Sequence, residues 1–143
     1  MFPALDNSAA FLETRDAMHA YARVLGDCLK ARRGKRKHWW HASLRPSLNG
    51  LTTGVVRATT DFEIELDFRR ASLHARASNG NAVDVELEGQ SAAEIAVALS
   101  EFMSANGEAD VELADADRSD LAWPAFSRSH ADSMGQVLRS VAA

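Results

Sequence analysis

Apolar residues fall into two rhythms along this chain, and the switch between them divides it into helical and sheet-forming parts. From Ser8 to Arg33 the positions Phe11, Met18, Tyr21, Leu25, Cys28 and Leu29 recur at steps of three, four and seven, the spacing of one buried helical face. Asn7 or Ser8 can cap the start of this helix, and Gly34 can end it. From Asp61 to Phe68 the period is two. Phe62, Ile64, Leu66 and Phe68 alternate with Asp61, Glu63, Glu65 and Asp67, which predicts a strand with one face on the core and one in water. Similar alternation predicts strands at His38–Leu44, Leu51–Val56, 72–78 and through Val83, Val85 and Leu87. Ser91-Ala92-Ala93-Glu94 is a capping box, followed at helical spacing by Ile95, Leu99, Phe102 and Met103 until Asn106-Gly107 stops the helix. Ala109–Leu113 offers a short further strand, Ala114–Leu121 an acidic loop closed by Trp123-Pro124, and Arg128–Val141 a last helix presenting Met134, Val137, Leu138 and Val141. The expectation is one α+β domain over residues 1–143: a long N-terminal helix, an antiparallel meander of about five or six strands, a covering helix and a C-terminal helix.

Matching the apolar faces of consecutive strands predicts their register. A turn centred on Arg70 and Ala71 sets Asp67 opposite His74 and Glu65 opposite Arg76. A three-residue loop at Asn79-Gly80-Asn81 sets Ala77 on Val83, Ala75 on Val85 and Leu73 on Leu87. His74 and Arg76 then stand among carboxylates on one face. Acidic residues alternating with core residues are what a one-sided sheet requires, so this array reads as a solvated outer face.

At 143 residues the chain can bury a core without disulfide or metal staples, and a hydrophobic content of 46% excludes general disorder. The net charge of −4 argues only for solubility. The single cysteine, Cys28, cannot form an internal disulfide and falls among the buried helical positions, as a small hydrophobe would. No apolar run approaches the length of a signal or membrane segment, which makes the cytoplasm the expected compartment. Lys30, Arg32, Arg33, Lys35, Arg36 and Lys37 cluster where the first helix ends, and a helix C-terminus favours cations without any partner. The functional alternative for that run is an anion-binding patch. Nucleic-acid binding is the weaker form of it, because the rest of the chain is acidic.

Local catalytic signatures are absent: there is no P-loop, dinucleotide glycine fingerprint, zinc-knuckle spacing, His-Glu-x-x-His helix or Gly-x-Ser-x-Gly elbow. What remains is a constellation that folding could assemble. It consists of His19 on the first helix, His38, Trp39, Trp40 and His41 on the first strand, Thr52 and Thr53 on the second, and His130 near the end. Imidazoles move protons or bind metals near neutral pH, and tryptophans wall apolar ligands while donating one hydrogen bond. In a regular strand His38 and His41 point to opposite faces, so a shared metal would need a bulge. Two functional readings follow. The first is a non-catalytic small-ligand-binding or interaction domain with a Trp/His cleft, its partner a small molecule or an anion. The second is a metal-assisted enzyme using two or three of His19, His38, His41 and His130. The structural alternative buries both tryptophans between helix and sheet. A homodimer follows if the last helix exposes Met134, Leu138 and Val141.

The series His38-Trp39-Trp40-His41, Gly50-Leu51-Thr52-Thr53 and Phe62-Glu63-Ile64-Glu65-Leu66-Asp67-Phe68 resembles the bacterial domain-of-unknown-function family five-nine-nine-six. The opening Phe2-Pro3-Ala4-Leu5 and the helix carrying Thr14, Met18, His19 and Gly26 resemble the start of that family, and the likeness extends to the strand ending near Leu113. Beyond it, Phe126 and His130 stand where the family carries a phenylalanine and a histidine, but small or aliphatic residues replace the aromatic positions of the helix that follows. The resemblance implies a fold neighbourhood, with no activity attached.

Overall fold

The computed structural model describes residues 8–32, 44–107 and 121–142. Helix α1 spans Ala9–Arg32, as its periodicity requires, and Ser8 caps it by accepting the Phe11 N–H at 3.1 Å. Five strands follow in sequence order across one antiparallel sheet: β1 (Arg45–Pro46), β2 (Gly50–Thr52), β3 (Phe62–Asp67), β4 (Ser72–Ala77) and β5 (Ala82–Glu86). Helices α2 (Ala92–Ala105) and α3 (Arg128–Ala142) complete the described elements. The Ser91 hydroxyl accepts the Glu94 N–H, the N-terminal half of the predicted capping box.

The sheet is one-sided. Phe62, Ile64, Leu66, Leu73 and Ala75 are buried on the face that also meets Leu25, Leu29, Ile95 and Leu99 from the helices. Helix α1 lies over β3, with α2 toward β5 and α3 toward β1 and β2, so α1 touches both other helices. Two long-range hydrogen bonds fix where α3 begins: Glu13 on α1 accepts the Ala125 N–H at 2.6 Å and Thr14 accepts the Ser127 N–H at 2.8 Å.

Three strand expectations change. The first strand was expected over His38–Leu44, whereas the described pairing is Arg45 with Thr52 and Pro46 with Leu51; residues 38–43 lie outside the described residues. Proline lacks an N–H, and β1 tolerates it as an edge strand among the described residues. Second, β3 and β4 pair Glu65 with His74 and Glu63 with Arg76, two residues from the expected register. The cause is the turn. The Asp67 carboxylate accepts the Arg70 N–H at 2.9 Å, and Asp67 pairs with Ser72, so Phe68–Ala71 form a four-residue connection in place of the two-residue turn at Arg70 and Ala71. Third, β4 and β5 pair Ala75 with Val83 and Leu73 with Val85. The loop does hold three residues, but Ala77 closes it by bonding to Asn81, one step earlier than expected. The expected strand at Ala109–Leu113 lies outside the described residues.

Candidate functional site

Where α1 and α3 diverge above β2, they leave an apolar cleft of about 390 Å³. Helix α1 contributes Phe11, Met18 and Ala22, spaced so that they share one side of the helix just beside its core-facing residues Ala17, Tyr21 and Leu25. Leu51 of β2 and Phe68 form the sheet side of the cleft, and Met134, Val137 and Leu138 of α3 face them. Arg15 and His19 complete the lining from α1, one turn apart and both exposed. Arg15 is bonded at 3.0 and 3.1 Å to Asp16, an exposed pair of the kind worth about 0–1 kcal/mol.

Two glycines make room for the phenylalanine that closes the sheet side. A Cβ on Gly50 would stand 2.8 Å from the Phe68 ring and 2.0 Å from the Leu66 carbonyl oxygen, and one on Gly135 would stand 2.8 Å from the Phe68 Cβ. Without these side chains the ring seats between β2 and α3 and both elements approach it.

The residues singled out from the sequence separate. His19 lines the cleft. Thr52 sits beyond Leu51 on the opposite side of β2, paired across Glu65, and its hydroxyl lies 3.3–3.4 Å from the Ile64 carbonyl and the Glu63 carboxylate. Thr53 is fully buried, and its hydroxyl accepts the Ile64 N–H at 3.0 Å while donating to the Gly54 carbonyl at 2.8 Å. That oxygen takes the place of a backbone acceptor where β2 leaves the ladder, so both threonines are spent on the sheet. His130 packs edge-on against Phe11, with ring centroids 5.9 Å apart. His38, Trp39, Trp40 and His41, with the basic run's segment beyond Arg32, lie outside the described residues. Among the described residues no three of histidine, cysteine, aspartate and glutamate gather into a group that could hold a metal ion. The cleft residues themselves were legible only in part: Met134 and Leu138 stood out as an apolar stripe, but nothing local marked Leu51, Phe68 or Arg15 as their neighbours.

On the outer face of the sheet, Ser72, His74 and Asp84 form a hydrogen-bonded chain. Ser72 Oγ lies 2.9 Å from His74 Nε2, and His74 Nδ1 meets the Asp84 carboxylate. The connectivity is that of a serine nucleophile, its base and the residue that orients the base. The surroundings oppose that chemistry. Asp67 and Glu86 are the cross-strand neighbours of Ser72, and Asp67 also approaches His74 Nε2 at 3.9 Å, so an oxyanion forming at Ser72 would face carboxylates instead of donors. This cluster therefore reads as cross-strand pairing on a face that is only partly solvated: Asp84 and Glu86 are exposed, whereas Asp67 and Ser72 are buried, unlike the solvated outer face expected from alternation.

Fold and cleft define an α+β protein whose antiparallel sheet carries its helices on one face and an apolar trough at the β1–β2 end. Residues 2–134 match the family of unknown function DUF5996, and the chain belongs to that family. The match runs to Met134, well past Leu113, where the resemblance had thinned. No curated protein and no solved structure matches the chain. No described helix is long and apolar enough to cross a membrane.

Proposed function

We propose that this protein binds a small apolar molecule in the α1–α3–β2 cleft and performs no chemistry on it. The observation that carries the reading is the cleft itself: about 390 Å³, in the size range of small-molecule sites, lined by eight apolar side chains with two cationic or titratable residues beside them. Apolar surface left open at this scale gains free energy when a ligand covers it, at roughly 0.8 kcal/mol per methylene buried. His19 is retained from the sequence reading. Trp39 and Trp40 remain part of the proposal through chain position alone, a few residues ahead of β1.

The test is thermal unfolding with 1-decanol as a neutral apolar probe, beside an Ala22→Phe variant that fills the cleft. At a hundredfold excess over Kd, binding stabilises the folded state by about 2.7 kcal/mol, which for a chain of this size raises Tm by roughly 5–10 °C. Ala22→Phe should abolish the shift. An unchanged Tm in the wild-type protein, or an equal shift in the variant, would refute the proposal.

A further inference from the structure

We infer that the cleft's ligand is a single-chain amphiphile with a carboxylate head, its tail lying between α1 and α3 and its head beside Arg15 and His19. The inference rests on the cleft being a binding site and adds the class of ligand.

Three observations specify that class. The first is the order of residues around α1. Stepping around the helix from the buried line of Ala17, Tyr21 and Leu25, one meets the cleft line of Phe11, Met18 and Ala22, and then Arg15 and His19. An occupant therefore passes from apolar surroundings to cation-bearing ones over the width of one helix. The second is the chemistry of the wall, which apart from Arg15 and His19 carries only apolar side chains. A ligand polar along its whole length would lose its hydration there without replacement bonds, whereas a hydrocarbon chain loses nothing. The third is size. A methylene occupies about the volume of a water molecule, about 30 Å³, so 390 Å³ admits a chain of roughly a dozen carbons.

Charge complementarity selects the head. The Arg15 guanidinium offers a planar fork suited to a carboxylate. Its present partner, Asp16, is an exposed neighbour on the same helix at 3.0 Å, and such pairs exchange at little cost. His19, one turn further along, can donate a second bond from the same side of the helix.

The experiment is calorimetric titration with dodecanoate and dodecyltrimethylammonium below their micelle concentrations and with 1-dodecanol below its solubility limit, all without lipid. It is repeated on Arg15→Gln/His19→Gln and on Ala22→Phe, with sedimentation velocity on the wild type and Ala22→Phe. The expected result is dodecanoate binding roughly tenfold or more tighter than dodecanol, the increment of a charge-assisted hydrogen bond, with the cationic amphiphile weakest. Raising the salt concentration should narrow that ratio, because the head contacts are exposed. In the double variant it should fall to near one. Equal affinities for the three head groups, or a carboxylate preference that survives in the double variant, would overturn the inference while leaving the cleft as a binding site. Failure of every probe to bind, or undiminished binding by Ala22→Phe, would remove the cleft reading as well. A wild-type dimer that Ala22→Phe converts to monomer would make a second copy of this chain the occupant, which also overturns the inference.

Discussion

Replacing Gly135 by alanine sets local helix preference directly against tertiary packing. Gly135 lies within α3, where alanine is favoured over glycine by about 1 kcal/mol. Judged from the helix alone, Gly135→Ala stabilises the protein. In the folded chain the added methyl would stand 2.8 Å from the Phe68 Cβ and 3.5 Å from the Asn49 carbonyl oxygen. The first distance is closer than carbon atoms pack, and it falls on the base of a side chain that is 4% exposed, so no flexible tip can swing away. Overpacking of this kind costs about 1–3 kcal/mol. Subtracting the propensity gain leaves a net loss of about 1 kcal/mol. With a urea slope of about 2 kcal/mol/M, the unfolding midpoint should fall by roughly 0.5 M at unchanged slope. Gly135→Leu should fall further, although its helix propensity is close to that of alanine. Because Phe68, Met134, Val137 and Leu138 also line the cleft, the displaced helix should weaken 1-decanol binding in the same variants. A midpoint that rises in Gly135→Ala would refute the reasoning, since α3 could not then be seated on Phe68.

Two further substitutions test how the sheet and α1 are held. Thr53→Val keeps the side-chain shape but leaves the buried Ile64 N–H without its acceptor, so it should cost about 1–3 kcal/mol by urea unfolding, more than Thr53→Ser, which keeps the hydroxyl; the reverse order would return Thr53 to the list of ligand-contacting residues. Tyr21 donates to the Gln90 carbonyl at 2.6 Å, and burial, reinforced by the Glu94 carboxylate, pushes its phenol above the usual tyrosine range. A raised folded-state value means that this contribution to stability is complete below the unfolded pKa of about 10 and is lost as pH rises through the folded one. Tyr21 is the only tyrosine, so phenolate absorbance reads it alone: it should appear together with alkaline unfolding, and titration near pH 10 in the still-folded protein would contradict the burial.

Much of the fold was legible along the chain because it follows from period. Alternation of Phe62, Ile64, Leu66 and Phe68 decides which residues face the helices, and the capping box and the Asn106-Gly107 stop decide where α2 lies, since these effects act over a few neighbouring residues. Register was not legible. Sliding β4 by two residues keeps every side chain on its own face, so Glu65 opposite His74 and Glu65 opposite Arg76 satisfy the alternation equally. The folded chain uses a four-residue turn in which the Asp67 carboxylate accepts the Arg70 N–H, and alternation alone does not distinguish that turn from a two-residue one. The cleft belongs to the same category. The sequence put His19 on the first helix, but Leu51, Phe68 and Leu138 become its neighbours only through the seating of α3 on β1 and β2. Thr53 shows the limit most plainly: beside Thr52 it has the composition of a binding loop, and only the path of β3 past it makes its hydroxyl part of the sheet. Periodicity records what each residue needs from its surroundings, whereas a site depends on which distant residues supply them, and that is decided when the elements pack.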